Sequence, residues 1–114
     1  LGAVETISCE QALQKHVHAA AAMLLFGGAH CGVCQVLRPR LEREMAQHFP
    51  QVALAHVDCA EAPRVCAQQG VFSLPVLRFY LDGKLVLERG RHVSVQEWLA
   101  QVERLLALSA GDEP

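Results

Sequence analysis

The sequence predicts an α/β fold: a central mixed β-sheet of about four strands, flanked by helices on both faces. Three observations carry this expectation. Apolar runs of strand length alternate with amphipathic stretches of helical period. One run, Met23-Leu24-Leu25-Phe26-Gly27, is apolar without alternation, as a central strand covered on both faces must be. An Asp82-Gly83 dipeptide joins two further apolar runs, and this pair suits a tight type I′ hairpin. With 114 residues, 52% of them hydrophobic, the chain is long enough for one core, because a chain of this size buries roughly two thirds of the surface its unfolded form exposes.

The elements follow in order. Ser8 and Gln11 form a capping box, which predicts a first helix over residues 9–20. The apolar strand comes next, and the Gly27-Gly28 pair ends it. Residues 34–49 read as a helix, since Val33, Leu37, Leu41 and Met45 recur at a spacing of four. Pro39 lies inside it, lacks an N–H and predicts a kink. Residues 52–58 form the following strand, and residues 61–69 a short helix. Residues 76–81 and 84–89 are the two hairpin strands. Ser94 and Glu97 form a second capping box that opens the last helix, with Val93 stapled against Trp98. Trp98, Leu99, Val102, Leu105 and Leu106 line its inner face. Residues 1–108 are read as one domain, and residues 109–114 as a flexible C-terminal tail.

Ten Lys and Arg against twelve Asp and Glu give a net charge of −2 with no block of like charge. This excludes the electrostatic footprint of a nucleic-acid or anionic-membrane binder. The longest apolar stretch, residues 19–28, is half of the roughly 20 residues that a membrane span needs. It has neither the basic start nor the cleavage site of a secretory leader. The chain begins at Leu1 rather than Met, which leaves room for a leader or anchor ahead of it. Cysteines number five, at 9, 31, 34, 59 and 66. An odd count points away from a secreted disulfide scaffold and toward a reducing, cytoplasmic setting.

Cys31-Gly32-Val33-Cys34 follows a strand and opens a helix, the context in which a C-x-x-C pair is redox-active. Free N–H groups and the dipole at a helix start favour negative charge, so Cys31 is the expected nucleophile. Cys34, deeper in the helix, is the expected resolving thiol: it attacks the mixed disulfide and releases the substrate.

At this point the chain resembles the thioredoxin family over nearly its whole length. The resemblance rests on an ordered set: the C-x-x-C after an apolar strand, Pro39 five residues past Cys34, Ser73-Leu74-Pro75 ahead of the hairpin, and Asp82-Gly83 followed by Gly90. It implies a thioredoxin-like fold and a cis peptide before Pro75. It also implies that Leu74 and Pro75 form an edge where extended substrate pairs as a strand. Protein or peptide thiols and disulfides are the implied substrates. The implied redox partner is a disulfide reductase, and the chain itself is expected to be a monomer without a cofactor.

Four positions depart from the family pattern. His30 stands where a Trp usually precedes the first cysteine, and Gly32-Val33 replaces Gly-Pro. Leu25 replaces a buried Asp, and Leu54 a buried Lys. Without the carboxylate as proton acceptor, Cys34 is expected to deprotonate slowly. His30 has two readings: a cation that stabilises the Cys31 thiolate, or an exposed loop histidine without a role.

The remaining cysteines are read as structural or semi-exposed thiols. Cys59 and Cys66, placed on one face of an intact helix, lie about 10 Å apart, too far for a disulfide. A second redox pair there requires local unfolding. A zinc site is not expected, because His30, Cys31 and Cys34 lack a fourth ligand; the resemblance puts His16, His18, His48 and His92 on other elements. Val71, Phe72 and Val33 are read either as a docking patch or as ordinary core. The function that follows is thiol-disulfide exchange through Cys31 and Cys34, slow or specialised. The alternative is a peptide-binding or chaperone-like module that keeps the groove and has lost turnover.

Overall fold

A computed structural model describes residues 4–111. Its elements are β1 (Glu5–Ile7), α1 (Glu10–Val17), β2 (Ala21–Gly27), α2 (Gly32–His48), β3 (Ala53–Asp58), α3 (Pro63–Gln68), β4 (Val76–Leu81), β5 (Lys84–Gly90) and α4 (Val95–Ser109). The sheet has five strands in the order β1-β3-β2-β4-β5. β3 runs parallel to both β1 and β2, while β4 is antiparallel to β2 and β5. The strand missed in the sequence is β1, a three-residue edge strand whose Glu5 and Thr6 are exposed. It is too short to show an alternation.

All seven residues of β2 are buried, which is why this run carries no polar alternation. Ala22, Leu24 and Phe26 face one cluster with Leu13, Val17, Val57 and Val65. Ala21, Met23 and Leu25 face the other, with Leu37, Leu41, Met45, Phe79 and Trp98. The first cluster lies under α1 and α3, the second under α2 and α4. Trp98 is fully buried, and its indole N–H donates to Met23 Sδ at 3.3 Å.

The first helix is shorter than predicted. Its N-cap is Cys9 rather than Ser8, with no side-chain capping bond. It stops at Val17 because Ala21 and Ala22 are taken into β2, where they pair with Leu81 and Tyr80. Ser94 does cap α4, accepting the Glu97 N–H at 3.2 Å. The hairpin takes the predicted turn: Asp82 and Gly83 both have positive φ, 50° and 81°, as type I′ requires. Helix α4 runs through Ser109; of the predicted tail, residues 112–114 lie outside the described residues.

Candidate active site

The antiparallel pairing of β2 with β4 sets Phe26, next to the last residue of β2, opposite Val76, the first residue of β4. The loop that leaves β2 therefore meets the loop that enters β4. Cys31 ends the first loop as the N-cap of α2, and Leu74-Pro75 ends the second. The Leu74-Pro75 peptide is cis. A Cβ placed on Gly28 would lie 3.4 Å from Leu74 Cδ1, so this glycine lets the two loops close up.

Cys31 and Cys34 are joined by a disulfide, with Cα atoms 5.2 Å apart. Cys34 is buried and Cys31 half-buried. Cys31 Sγ accepts the N–H of Cys34 at 3.2 Å, so the donors of the first helical turn do address that sulfur. A dithiol formed here would place the accessible sulfur where backbone donors favour a thiolate. Gly32 and Val33, between the cysteines, are both exposed.

A shallow groove crosses this end, lined by His30, Cys31, Cys59, Phe72 and Leu74 among others. Pro75 is buried beneath it. Among the described residues, Leu74 makes no backbone hydrogen bond, which leaves its N–H and C=O free for an incoming strand. The candidate docking patch divides: Val71 belongs to the core, while Phe72 is 83% exposed. His30 is exposed at the mouth of the groove and makes no hydrogen bond to either sulfur.

Leu25 is buried and Leu54 partly buried in the cluster beneath α2, so neither a carboxylate nor an ammonium occupies those places. Beside Leu25, on β3, stands a group the sequence reading passed over. His56 is the one buried polar residue among those described, 6% exposed. It lines a cavity of about 230 Å³ with Gly28, Ala29, Cys34, Gln35, Arg38, Pro39 and Asp58. Arg38 donates from its guanidinium to His56 Nδ1 at 3.1 Å, and its Nε donates to Glu42 at 2.7 Å. Burial, and next the Arg38 charge, hold the His56 pKa below the usual histidine range, against opposing pulls from Asp58 and Glu42. Two signals in the sequence could have found this set. Cys34, Arg38 and Glu42 recur at a spacing of four on α2, and His56 interrupts an otherwise apolar strand centre.

Cys59 and Cys66 form a second disulfide, with Cα atoms 5.7 Å apart, which corrects the reading of two separate thiols. The premise of one intact helix fails: α3 begins only at Pro63, so Cys59 sits in the turn after β3 and folds back over the helix. Cys9 is free and exposed rather than a structural thiol. Among the described residues, no three His, Cys, Asp or Glu side chains are grouped to hold a metal ion. No described helix is long and apolar enough to cross a membrane.

The comparisons with known proteins agree with this geometry. The thioredoxin family model matches residues 4–102. Thioredoxin-like protein YdfQ of Bacillus subtilis is 29% identical over 82 residues, 72% of each chain. Thioredoxin of Chlamydia trachomatis is 41% identical over 56 residues, which span 49% of this chain and 54% of that protein. Among solved structures, a mutant thioredoxin from Halobacterium salinarum superposes with a TM-score of 0.78 at 22% identity, covering 88% of both chains. Oxidised mitochondrial thioredoxin 3 from Saccharomyces cerevisiae gives 0.79 at 17%, covering 89% of this chain and 94% of that one. With its five-stranded sheet, its C-x-x-C disulfide at a helix start and its match to the family over residues 4–102, the chain belongs to the thioredoxin family.

Proposed function

We propose that this protein is a thiol-disulfide oxidoreductase acting on protein disulfides, slow or specialised relative to a general reductase. The observation that carries the reading is the Cys31–Cys34 disulfide at the start of α2, beside the free backbone of Leu74. In the reducing direction, the Cys31 thiolate attacks one sulfur of a substrate disulfide. A mixed disulfide forms, and the other substrate sulfur leaves as a thiolate that takes up a proton. The Cys34 thiolate then attacks Cys31 Sγ, which closes the Cys31–Cys34 bond and expels the second substrate thiolate. Two electrons pass from the dithiol to the substrate. The same residues run the reverse reaction. A disulfide reductase resets the dithiol, as membership of the thioredoxin family supports. Slow turnover follows from Leu25, an alkyl side chain where the family pattern has the buried acid that takes the Cys34 proton. The protein works as a monomer in the cytoplasm.

The test is mass-resolved thiol trapping across graded glutathione redox buffers. The Cys31–Cys34 pair is expected to form and open reversibly. Cys34→Ser should accumulate a mixed disulfide on Cys31, and Cys31→Ser should accumulate none on Cys34. A strongly reducing midpoint marks a reductase, an oxidising one an oxidase or isomerase. A pair that never cycles ends the enzymatic reading and leaves a peptide-binding module built on the same groove.

A further inference from the structure

We infer that His56, with its proton fixed on Nε2 by Arg38, donates to the Cys34 sulfur once the Cys31–Cys34 bond opens, and holds that sulfur as the thiolate that resolves mixed disulfides. This deepens the oxidoreductase reading and rests on it.

The geometry begins with Arg38. A guanidinium only donates, so at 3.1 Å it fixes Nδ1 of His56 as the acceptor. The neutral ring must then carry its proton on Nε2. Glu42, one turn further along α2, orients the guanidinium through Nε at 2.7 Å. The free nitrogen borders the same cavity as the resolving cysteine, with no hydrogen bond between them while Cys34 is held in the disulfide. A single point, the place of a Cβ on Gly27, lies 3.3 Å from Cys34 Sγ and 3.4 Å from His56 Nε2. Because residue 27 is glycine, nothing fills the space between them. Both residues are more than nine-tenths buried, and Nε2 has no hydrogen-bond partner among the described residues.

The groups facing the imidazole are few. Helix α2 contributes Cys34, Arg38 and Glu42, and β3 contributes Asp58. The register partners of His56 are Leu25 on β2 and Thr6 on β1, neither charged. Burial and Arg38 disfavour imidazolium, so the ring acts as a neutral donor. A neutral N–H aimed at sulfur stabilises the thiolate over the thiol. His56 takes no proton in this step. The Cys34 proton leaves to water through the cavity that His56 and Asp58 line. Cys34 then forms its bond to Cys31 Sγ, the Cys31–substrate bond breaks, and the substrate sulfur departs with the electron pair. His56 is thus a positioning residue for resolution, and Arg38 sets its tautomer.

The experiment measures Cys34 directly. In a Cys31→Ser background, alkylation of the Cys34 peptide is followed by mass against pH, with His56 intact, His56→Leu or His56→Gln. Glutamine can keep an N–H near the Nε2 position. His56→Leu should leave at least about tenfold less thiolate at neutral pH, as loss of a hydrogen bond to a charged group implies. His56→Gln should recover most of that loss. A second readout uses protein that retains Cys31, charged there as the mixed disulfide with thionitrobenzoate. Release of the chromophore in one turnover should slow in His56→Leu at neutral pH, and the deficit should close once pH exceeds the Cys34 pKa. An alkylation midpoint unchanged in His56→Leu would overturn the proposal. So would a glutamine variant that behaves like leucine, since His56 would then act as a base. A release deficit that persists at high pH overturns it as well, by marking a merely structural role. The alkylation midpoint needs no substrate, so it stands whether or not the protein turns over protein disulfides.

Discussion

Leu25 on β2 and His56 on β3 are register partners in adjacent parallel strands, beneath the helix that carries Cys34. The one buried polar residue among those described therefore stands one strand away from the place where the family pattern puts an acid. Its ring reaches the same space beside Cys34 from β3. That relationship makes the chemistry of this site depend on a histidine and the arginine that holds it.

One consequence is a pH dependence of stability. The folded chain holds the His56 pKa below its ordinary value near 6.5, through burial first and Arg38 second. The unfolded chain therefore binds this proton at higher pH than the folded chain does. The stability tied to neutral His56 is full above about pH 6.5 and is lost as pH falls through the folded value. Urea midpoints measured between pH 7.5 and 5 should fall less steeply for His56→Gln than for the parent protein. Parallel slopes would show that His56 titrates as it does in the unfolded chain.

Gly27 should tolerate no side chain without cost. An added Cβ would lie 3.3 Å from Cys34 Cβ and Sγ and 3.4 Å from His56 Nε2. Cys34 is held by the helix and His56 by Arg38, so neither yields easily. Gly27→Ala is expected to lose about 1 kcal/mol, as overpacking does, and to shift the glutathione equilibrium of the Cys31–Cys34 pair. An unchanged equilibrium and an unchanged urea midpoint together would mean that the site has room to relax.

Phe72 offers a test of the groove. It is 83% exposed on the same groove as Cys31 and Leu74, so a protein disulfide seated in that groove would bury it. Phe72→Ser should change stability by no more than about 0.5 kcal/mol. The kcat/KM for a protein disulfide such as insulin should fall roughly five- to tenfold, matching part of a phenyl group's burial energy. The alkylation midpoint of Cys31 should not move. A kcat/KM equal to that of the parent would remove Phe72 from the docking surface.

The Cys59–Cys66 bond closes a loop with a sequence separation of seven. Chain-entropy arguments give about 2.5 kcal/mol for a loop this short. The double variant Cys59→Ser, Cys66→Ser should lose that amount in non-reducing urea denaturation while keeping the Cys31–Cys34 equilibrium. Equal midpoints for variant and parent would show that the pair is not joined in solution.

Sequence alone determined the sheet with helices on both faces, the hairpin at Asp82-Gly83 and the position of the redox pair. The reason is local: an apolar run without alternation, a dipeptide that accepts positive φ, and two cysteines at the start of a helix each act within a few neighbouring residues. The same reasoning failed where the outcome depended on distant partners. A three-residue edge strand has no period to read, and α1 lost its last turn to strand pairing with β4. Helix α3 began four residues after Cys59, which brought two thiols together that an unbroken helix would hold apart. His56 passed as one more histidine, because its meaning depends on strand register. Only the parallel pairing of β2 with β3 and the packing of α2 across them set its ring between Arg38 and Cys34. Side-chain chemistry is written in the sequence, but which groups share a low-dielectric space is decided when the sheet and helix close around them.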